Sequence, residues 1–220
     1  MKRLVLLCLL AVPVLSQSVP VGASPPSAAS PSSGFEWSME FERPGLTLPW
    51  WKIARSADGT TVFSARRADA LPAPASTFTM SAATSTRLEA LLRSSHAMQP
   101  CETKAKHLAN MGMKTLSFTA DGISATCVFN YSDNKPLLQI ADIGQAIAFT
   151  QESGAELARL HRYDRLGLDK EMINLSKAAA EGSALELESI TETLRSIASD
   201  PHVLDRVRAK AVHLLELAAN

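Results

Sequence analysis

The segment 159–171 contains the densest group of side chains suited to acid–base or anion-binding chemistry. It combines an imidazole and a carboxylate with three guanidinium groups, carried by His161, Asp164, Arg159, Arg162 and Arg165. His161 and Asp164 are three positions apart, a spacing that places two side chains on one face of a helix. Because an aspartate can orient an imidazole for general-base work, these two are the candidate catalytic residues. The three arginines are candidate binding residues.

The same segment has a purely structural interpretation. Arginines near the C-terminus of a helix interact favourably with its dipole, and Asp164 would hold them in a helix–helix corner. No nucleophile can be assigned to the His161–Asp164 pair, and the sequence contains no G-x-S-x-G, P-loop, G-x-G-x-x-G or C-x-x-C motif. No pair of histidines has a metal-ligand spacing. We therefore expect no metal or cofactor site, and both interpretations of the segment stay open.

Two adjacent tryptophans offer a second candidate binding site. Trp50 and Trp51 begin a segment of strand-like composition, so their side chains point to opposite faces of a sheet. One of them is expected in the core. The other would be exposed, where a tryptophan can anchor a binding partner.

The two cysteines of the exported chain are expected to form one disulfide. Cys101 and Cys127 are 26 positions apart, and closing a loop of that length stabilises a fold by about 3.5 kcal/mol in the chain-entropy description. The third cysteine, Cys8, lies in the leader described below. A redox pair or a metal site is the alternative, although redox pairs favour C-x-x-C and metal sites need further clustered ligands.

The first residues have the pattern of a secretory signal peptide. Lys2 and Arg3 precede an apolar run over 4–15, which is shorter than the roughly 20 residues that span a membrane. We expect a signal peptide over 1–23, cleaved after Val21-Gly22-Ala23, with Val14-Leu15-Ser16 as the second choice. An uncleaved membrane anchor is the alternative. Residues 24–33 are all Ser, Pro and Ala and predict a flexible spacer.

Composition narrows the class of protein. The 220-residue chain is 46% hydrophobic and 20% charged, which is typical of a globular protein and excludes a collagenous or wholly disordered one. It has 22 basic and 22 acidic residues, and loss of Lys2 and Arg3 would leave a net charge of −2. We therefore expect no nucleic-acid partner bound through overall positive charge, and no transmembrane segment after cleavage.

Hydrophobic periodicity predicts the elements that position these residues. Period-two segments predict strands at 35–42, 50–56, 60–66, 76–80, 114–120 and 123–131. Helical periodicity predicts helices over 85–98, 136–165 and 169–182, then two more over 183–199 and 200–219, of which the first begins with a Ser183–Glu186 capping box. Strands segregated from helices indicate an α+β fold: an antiparallel sheet of five to six strands covered by helices. The predicted division is an α+β domain over 34–166 and a helical region over 167–220.

Two resemblances follow from these elements. The order of strands and helices over 34–160, behind a signal peptide, resembles secreted bacterial α+β domains of unknown function, a likeness that implies no activity. Segment 184–219 resembles a single HEAT-type helix pair through the residues of its last helix: Asp200-Pro201, Val207-Arg208, Ala211 and Leu214-Leu215. Because solenoids need about three repeats, this resemblance implies a helical hairpin extension.

Together these features predict an exported protein, periplasmic or extracellular, that binds a protein or cell-envelope partner without catalysis. The contact surface would be the sheet face with an exposed tryptophan or the hairpin at 184–219. The alternative is an enzyme of unrecognised type with its site around 159–171. A subunit or folding helper in an envelope complex would differ from the first hypothesis mainly in its partner.

Overall fold

A computed structural model of the chain describes residues 34–68 and 75–219. The predicted signal peptide over 1–23 and spacer over 24–33 lie outside the described residues. The described part contains β1 (Glu36–Glu42), β2 (Trp50–Arg55), β3 (Thr60–Arg66), β4 (Ser76–Thr79), α1 (Ala82–Ser94), β5 (Met113–Ala120), β6 (Ile123–Phe129), α2 (Lys135–Tyr163), α3 (Leu168–Ala180), a 3-10 helix (Leu187–Ile190), α4 (Thr191–Ser199) and α5 (Asp205–Ala218).

The strands form one antiparallel sheet in the order β4-β3-β2-β1-β5-β6. Alternation in β1 places Trp37, Met39 and Phe41 on the inner, buried face, and Ser38 and Glu40 between them on the outer face. Phe41 pairs with Trp51 of β2, and their rings stack 5.4 Å apart. The sheet confirms the predicted α+β class, with helices following the strands.

The inner face of the sheet is covered by α1 and the N-terminal part of α2. Asn134 caps α2 by accepting a hydrogen bond from the backbone N–H of Leu137, and Pro136 occupies the first turn. Gly144 lies against Met39, and a Cβ at this position would stand 2.3 Å from the methionine sulfur. The glycine therefore permits the helix to approach the sheet closely.

A second hydrophobic cluster lies at the other end of α2. Leu157 and Leu160 of α2 are buried there together with side chains of the C-terminal helices: Leu168, Met172, Leu175, Leu194, Ile197, Val207, Ala211 and Leu214. The long helix therefore contributes to two cores, one beneath the sheet and one among α3, α4 and α5.

Several helix starts differ from the sequence-based expectation. The helix predicted over 183–199 is instead a 3-10 helix (Leu187–Ile190) followed by α4 (Thr191–Ser199). Helix α1 begins at Ala82 and not at 85, because Ser81 caps it by accepting a hydrogen bond at its Oγ from the Thr84 backbone N–H. The cap of α3 is Gly167, with Asp169 in the first turn. Helix α5 begins at Asp205, because residues after Asp200 form a separate turn.

Cys101 and Cys127 form the predicted disulfide, with their Cα atoms 5.6 Å apart. This bond attaches the irregular segment 99–112 to the inner face of β6, where Cys127 is buried. Across 34–68 and 75–219, no helix is both long and apolar enough to cross a bilayer.

Candidate functional site

The His161 side chain is paired with Asp200 rather than with Asp164. Nε2 of His161 lies 2.9 Å from Oδ2 of Asp200, at the end of α4. Asp164 instead ends α2 as its C-cap residue, with its backbone N–H donating to the Leu160 carbonyl. The structure therefore brings an imidazole and a carboxylate together, but the carboxylate comes from 39 positions further along the chain.

The three arginines of this segment have separate environments. Arg159 donates two hydrogen bonds to Glu156 on its own helix, and Arg165 forms an ion pair with Asp200 at 3.3 Å. Arg162 is exposed and lies 5.8 Å from the Tyr163 ring. Arg162 and Arg165 both lie in the wall of one cavity, whereas Arg159 does not.

A cavity of about 510 Å³ opens beside the His161–Asp200 pair. It lies between the end of α2 and α4, and its wall includes Arg162, Glu192 and Ser196. The backbone N–H of His202 donates to Asp200, and this bond, followed by the bond to His161 and the charge of Arg165, holds the pKa of Asp200 below its usual range. Asp200 is therefore a carboxylate anchoring two basic side chains and a turn.

The side chains of the two tryptophans lie on opposite faces of the sheet, as predicted from their adjacent positions. Trp51 is buried beneath the sheet against Phe41, whereas Trp50 lies on the outer face. The Trp50 indole N–H donates to Glu40 at 2.7 Å, and the guanidinium of Arg66 covers its ring at 4.6 Å. Both its ring and its N–H group are therefore already engaged within the protein.

The most unusual polar side chain of the described residues is Lys114 on β5. It is 7% exposed and points to the inner face, two positions before the buried Leu116. Nζ donates to the backbone carbonyls of Gly112 and Asn130 at 3.3 and 3.2 Å. It also lies 5.8 Å from the Phe41 ring. No carboxylate among the described residues forms an ion pair with this ammonium group.

Burial is the dominant electrostatic influence on this lysine. It lowers the pKa of Lys114, the charge of Asp142 opposes that change, and the charge of Arg43 adds to it. Buried charges are ordinarily paired, because neutral carbonyls and aromatic rings replace only part of the lost hydration. Lys114 is therefore a buried cation that lacks a counter-ion in direct contact.

Lys114 forms part of the wall of a second cavity, of about 430 Å³. The cavity lies between segment 99–112, the end of β6 and the N-terminal half of α2. Its apolar wall is formed by Leu108, Ala109, Met111, Tyr131, Leu138 and Ala141, and its polar wall by Lys114, Asn130, Asp142 and Gln145. This volume is within the range of small-molecule sites, which combine apolar walls with a few placed polar groups.

The loop beside this cavity depends on a glycine. Gly112 has a φ of +92°, and a Cβ there would stand 2.4 Å from the Phe41 ring. The loop can thus pass close over the ring and present its carbonyl to Lys114.

The sequence contained a signal for Lys114 that motif searching does not detect. In the predicted strand over 114–120, Lys114 has the same parity as Leu116 and Phe118, so alternation alone places it with the core residues. A lysine at such a position departs from the binary pattern and indicates a special environment.

No protein-family model matches the chain, and no curated protein is similar to it.

Proposed function

We propose that the protein is an exported, non-enzymatic binding protein and that it holds a small ligand in the cavity beside Lys114. The observation that carries this proposal is a buried ammonium group without a paired carboxylate, in the wall of an otherwise largely apolar cavity. Retaining such a group costs stability, because an apolar residue of similar size would pack there without the loss of hydration. A ligand that supplies the missing interactions gives the lysine a role.

Export is supported by two independent features. The basic start and short apolar run of residues 1–23 follow the pattern of a signal peptide. The Cys101–Cys127 disulfide is compatible with the oxidising compartments where such bonds persist. We place the protein in the periplasm or outside the cell, where an envelope component would be available as its ligand.

The cavity can be tested by filling it. Ala109 is exposed and lies in the cavity wall, so Ala109→Trp places an indole in the ligand space without disturbing the core. The exposed Ala83 on α1 provides a matched control, Ala83→Trp. The probe is the fluorophore 8-anilino-1-naphthalenesulfonate. We expect saturable fluorescence enhancement with the parent chain and with Ala83→Trp, and its loss with Ala109→Trp.

Equal enhancement in all three proteins would place the fluorophore elsewhere and refute the proposed cavity. The proposed cavity is also refuted if the parent chain gives no fluorescence enhancement. Circular dichroism of each variant establishes that a loss of signal does not come from unfolding. Export is tested by cell fractionation of the full chain, which should yield a mature protein beginning after Ala23 in the exported fraction.

A second candidate function is an enzyme centred on His161. The specific observation in its favour is that the His161–Asp200 pair opens onto a cavity whose wall also includes Ser196. Against it, Asp200 is already shared by Arg165 and by the turn at His202. Hydrolysis of p-nitrophenyl esters by the purified chain, abolished in His161→Ala and in Ser196→Ala, would favour this function over binding.

A further inference from the structure

We infer that the ligand of the Lys114 cavity is an aliphatic monocarboxylate, a free fatty acid, with its carboxylate at Lys114 and its chain along the apolar wall. This inference rests on the proposed function and specifies its ligand. It follows from three properties of the cavity: an unused donor at its polar end, the charges around that end, and apolar side chains that remain exposed at the other.

The polar end of the cavity has one unused hydrogen-bond donor, an N–H of Lys114. A lysine ammonium group carries three N–H donors. Two of them reach the carbonyls of Gly112 and Asn130, at the long distances of 3.3 and 3.2 Å. The third donor and the net positive charge are available to a ligand in the cavity. An anionic oxygen is the strongest partner for both, because charge-assisted hydrogen bonds are about twice as strong as neutral ones.

The surrounding charges favour a single carboxylate over a larger anion. Arg43 and Asp142 are the charged residues that act on Lys114, with opposite signs. Asp142 is exposed at the cavity mouth, where water screens it, whereas Lys114 is buried. The inner end of the cavity therefore favours a ligand with one negative charge. Asp142 repels a ligand that carries several negative charges, such as a phosphate ester. Lysine also binds as a point charge, which suits one carboxylate.

The apolar end presents large side chains that folding leaves uncovered. Leu108, Met111 and Tyr131 are 44%, 55% and 43% exposed, and all three lie in the wall of this cavity. Leu138 and Ala141 of α2 form the opposite wall. Covering these side chains with a hydrocarbon chain removes apolar surface from water on both partners. The same cavity therefore selects a ligand with one charged end and one apolar end.

The decisive measurement is isothermal titration of the full mature chain with a matched series of amphiphiles at neutral pH. Octanoate, decanoate and dodecanoate vary the chain length, while decanol and decylammonium keep the chain and change the head group. We expect decanoate to bind at least tenfold more tightly than decanol, and decylammonium not to bind detectably. Affinity should rise roughly tenfold for each two added methylenes until the cavity is filled.

Two substitutions, at Lys114 and Asp142, and a control at Lys52 test where the head group binds. Lys114→Met removes the charge and keeps the volume, and we expect it to weaken decanoate roughly tenfold or more while leaving decanol unchanged. Lys52→Met makes the same change on the outer face of the sheet and should have no effect. Asp142→Asn removes a negative charge that acts on the site and would repel a carboxylate, so it should tighten decanoate roughly twofold to fivefold.

Equal affinity for decanoate and decanol, tighter binding of decylammonium, or unchanged decanoate binding in Lys114→Met would each overturn the inference. Those results leave the proposed function intact as long as Ala109→Trp still abolishes binding of the fluorophore. Failure of the proposed function has a different signature, in which neither the fluorophore nor any amphiphile responds to Ala109→Trp.

Discussion

The carboxylate of Glu186 accepts two hydrogen bonds from Ser81, 105 positions earlier in the chain, one from the backbone N–H and one from the hydroxyl group, each at 2.8 Å. Ser81 is also the N-cap of α1. Glu186 is buried and adopts a left-handed backbone conformation with a φ of 62°. One side chain thus joins the segment between α3 and the 3-10 helix to the start of the first helix.

Glu186→Ala is expected to lower the free energy of unfolding by about 2 kcal/mol, because it leaves the partly buried Ser81 N–H without its acceptor. Glu188→Ala, two positions away at an exposed site, should change it by less than about 0.5 kcal/mol. Urea unfolding followed by circular dichroism measures both. Equal effects of the two substitutions would mean that the Glu186–Ser81 bonds do not stabilise the fold.

Glu186 also illustrates what local sequence patterns predict and what they miss. Ser183-x-x-Glu186 matches a capping box, but the serine hydroxyl bonds the Ala178 carbonyl and the glutamate bonds Ser81. The pattern depends only on neighbours in sequence, whereas the observed Glu186–Ser81 contact joins positions that are 105 residues apart. Period-two and helical patterns predicted the strands and the long helix well, because these depend on which face is buried.

For the candidate sites as well, the sequence predicted features that depend on neighbouring positions and missed contacts between distant elements. Alternation predicted that Trp50 and Trp51 would face opposite sides, since this depends on adjacent positions alone. Spacing within one helix could not identify Asp200 as the partner of His161, because the contact joins α2 to the end of α4. The Lys114 cavity requires the folded path of segment 99–112, whose few regular hydrogen bonds leave no periodic signal.

Removal of the disulfide is expected to destabilise the fold substantially. Replacing Cys101 and Cys127 together by alanine should lower the free energy of unfolding by about 3.5 kcal/mol. Without the cross-link between positions 26 apart, the unfolded chain gains conformational entropy. The segment with Leu108 and Met111 would also lose its attachment to β6, so decanoate should bind more weakly. Dithiothreitol should reproduce both effects in the parent chain and leave the double variant unchanged. Equal unfolding midpoints for the parent chain and the double variant, measured without dithiothreitol, would contradict this prediction.

The Asp200 interactions predict a dependence of stability on acid pH. The His202 N–H, His161 and Arg165 lower the pKa of Asp200 in the folded state, so the unfolded chain binds this proton more tightly. The stabilisation is present above the ordinary pKa of about 3.8 and is lost as the pH falls through the lower folded-state value. Asp200→Asn should be less stable than the parent chain near neutral pH, with the difference disappearing in acid. Urea unfolding at successive pH values tests this, and a difference independent of pH would refute it.

Lys114 leads to a pH dependence of the same sign, with stability rising as the pH rises, but on the alkaline side. Burial lowers the pKa of this ammonium group below its usual 10.5, so folding disfavours the charged form and the unfolded chain binds the proton more tightly. The resulting penalty is fully present below the folded-state pKa and disappears as the pH rises towards about 10.5. Lys114→Met should therefore be more stable than the parent chain at neutral pH, by about 1 kcal/mol, with the gain shrinking at alkaline pH. Urea unfolding measures this gain, and Lys52→Met should show none. A Lys114→Met protein that is less stable than its parent at neutral pH would mean that the lysine supports the fold, and that its burial needs no ligand to explain it.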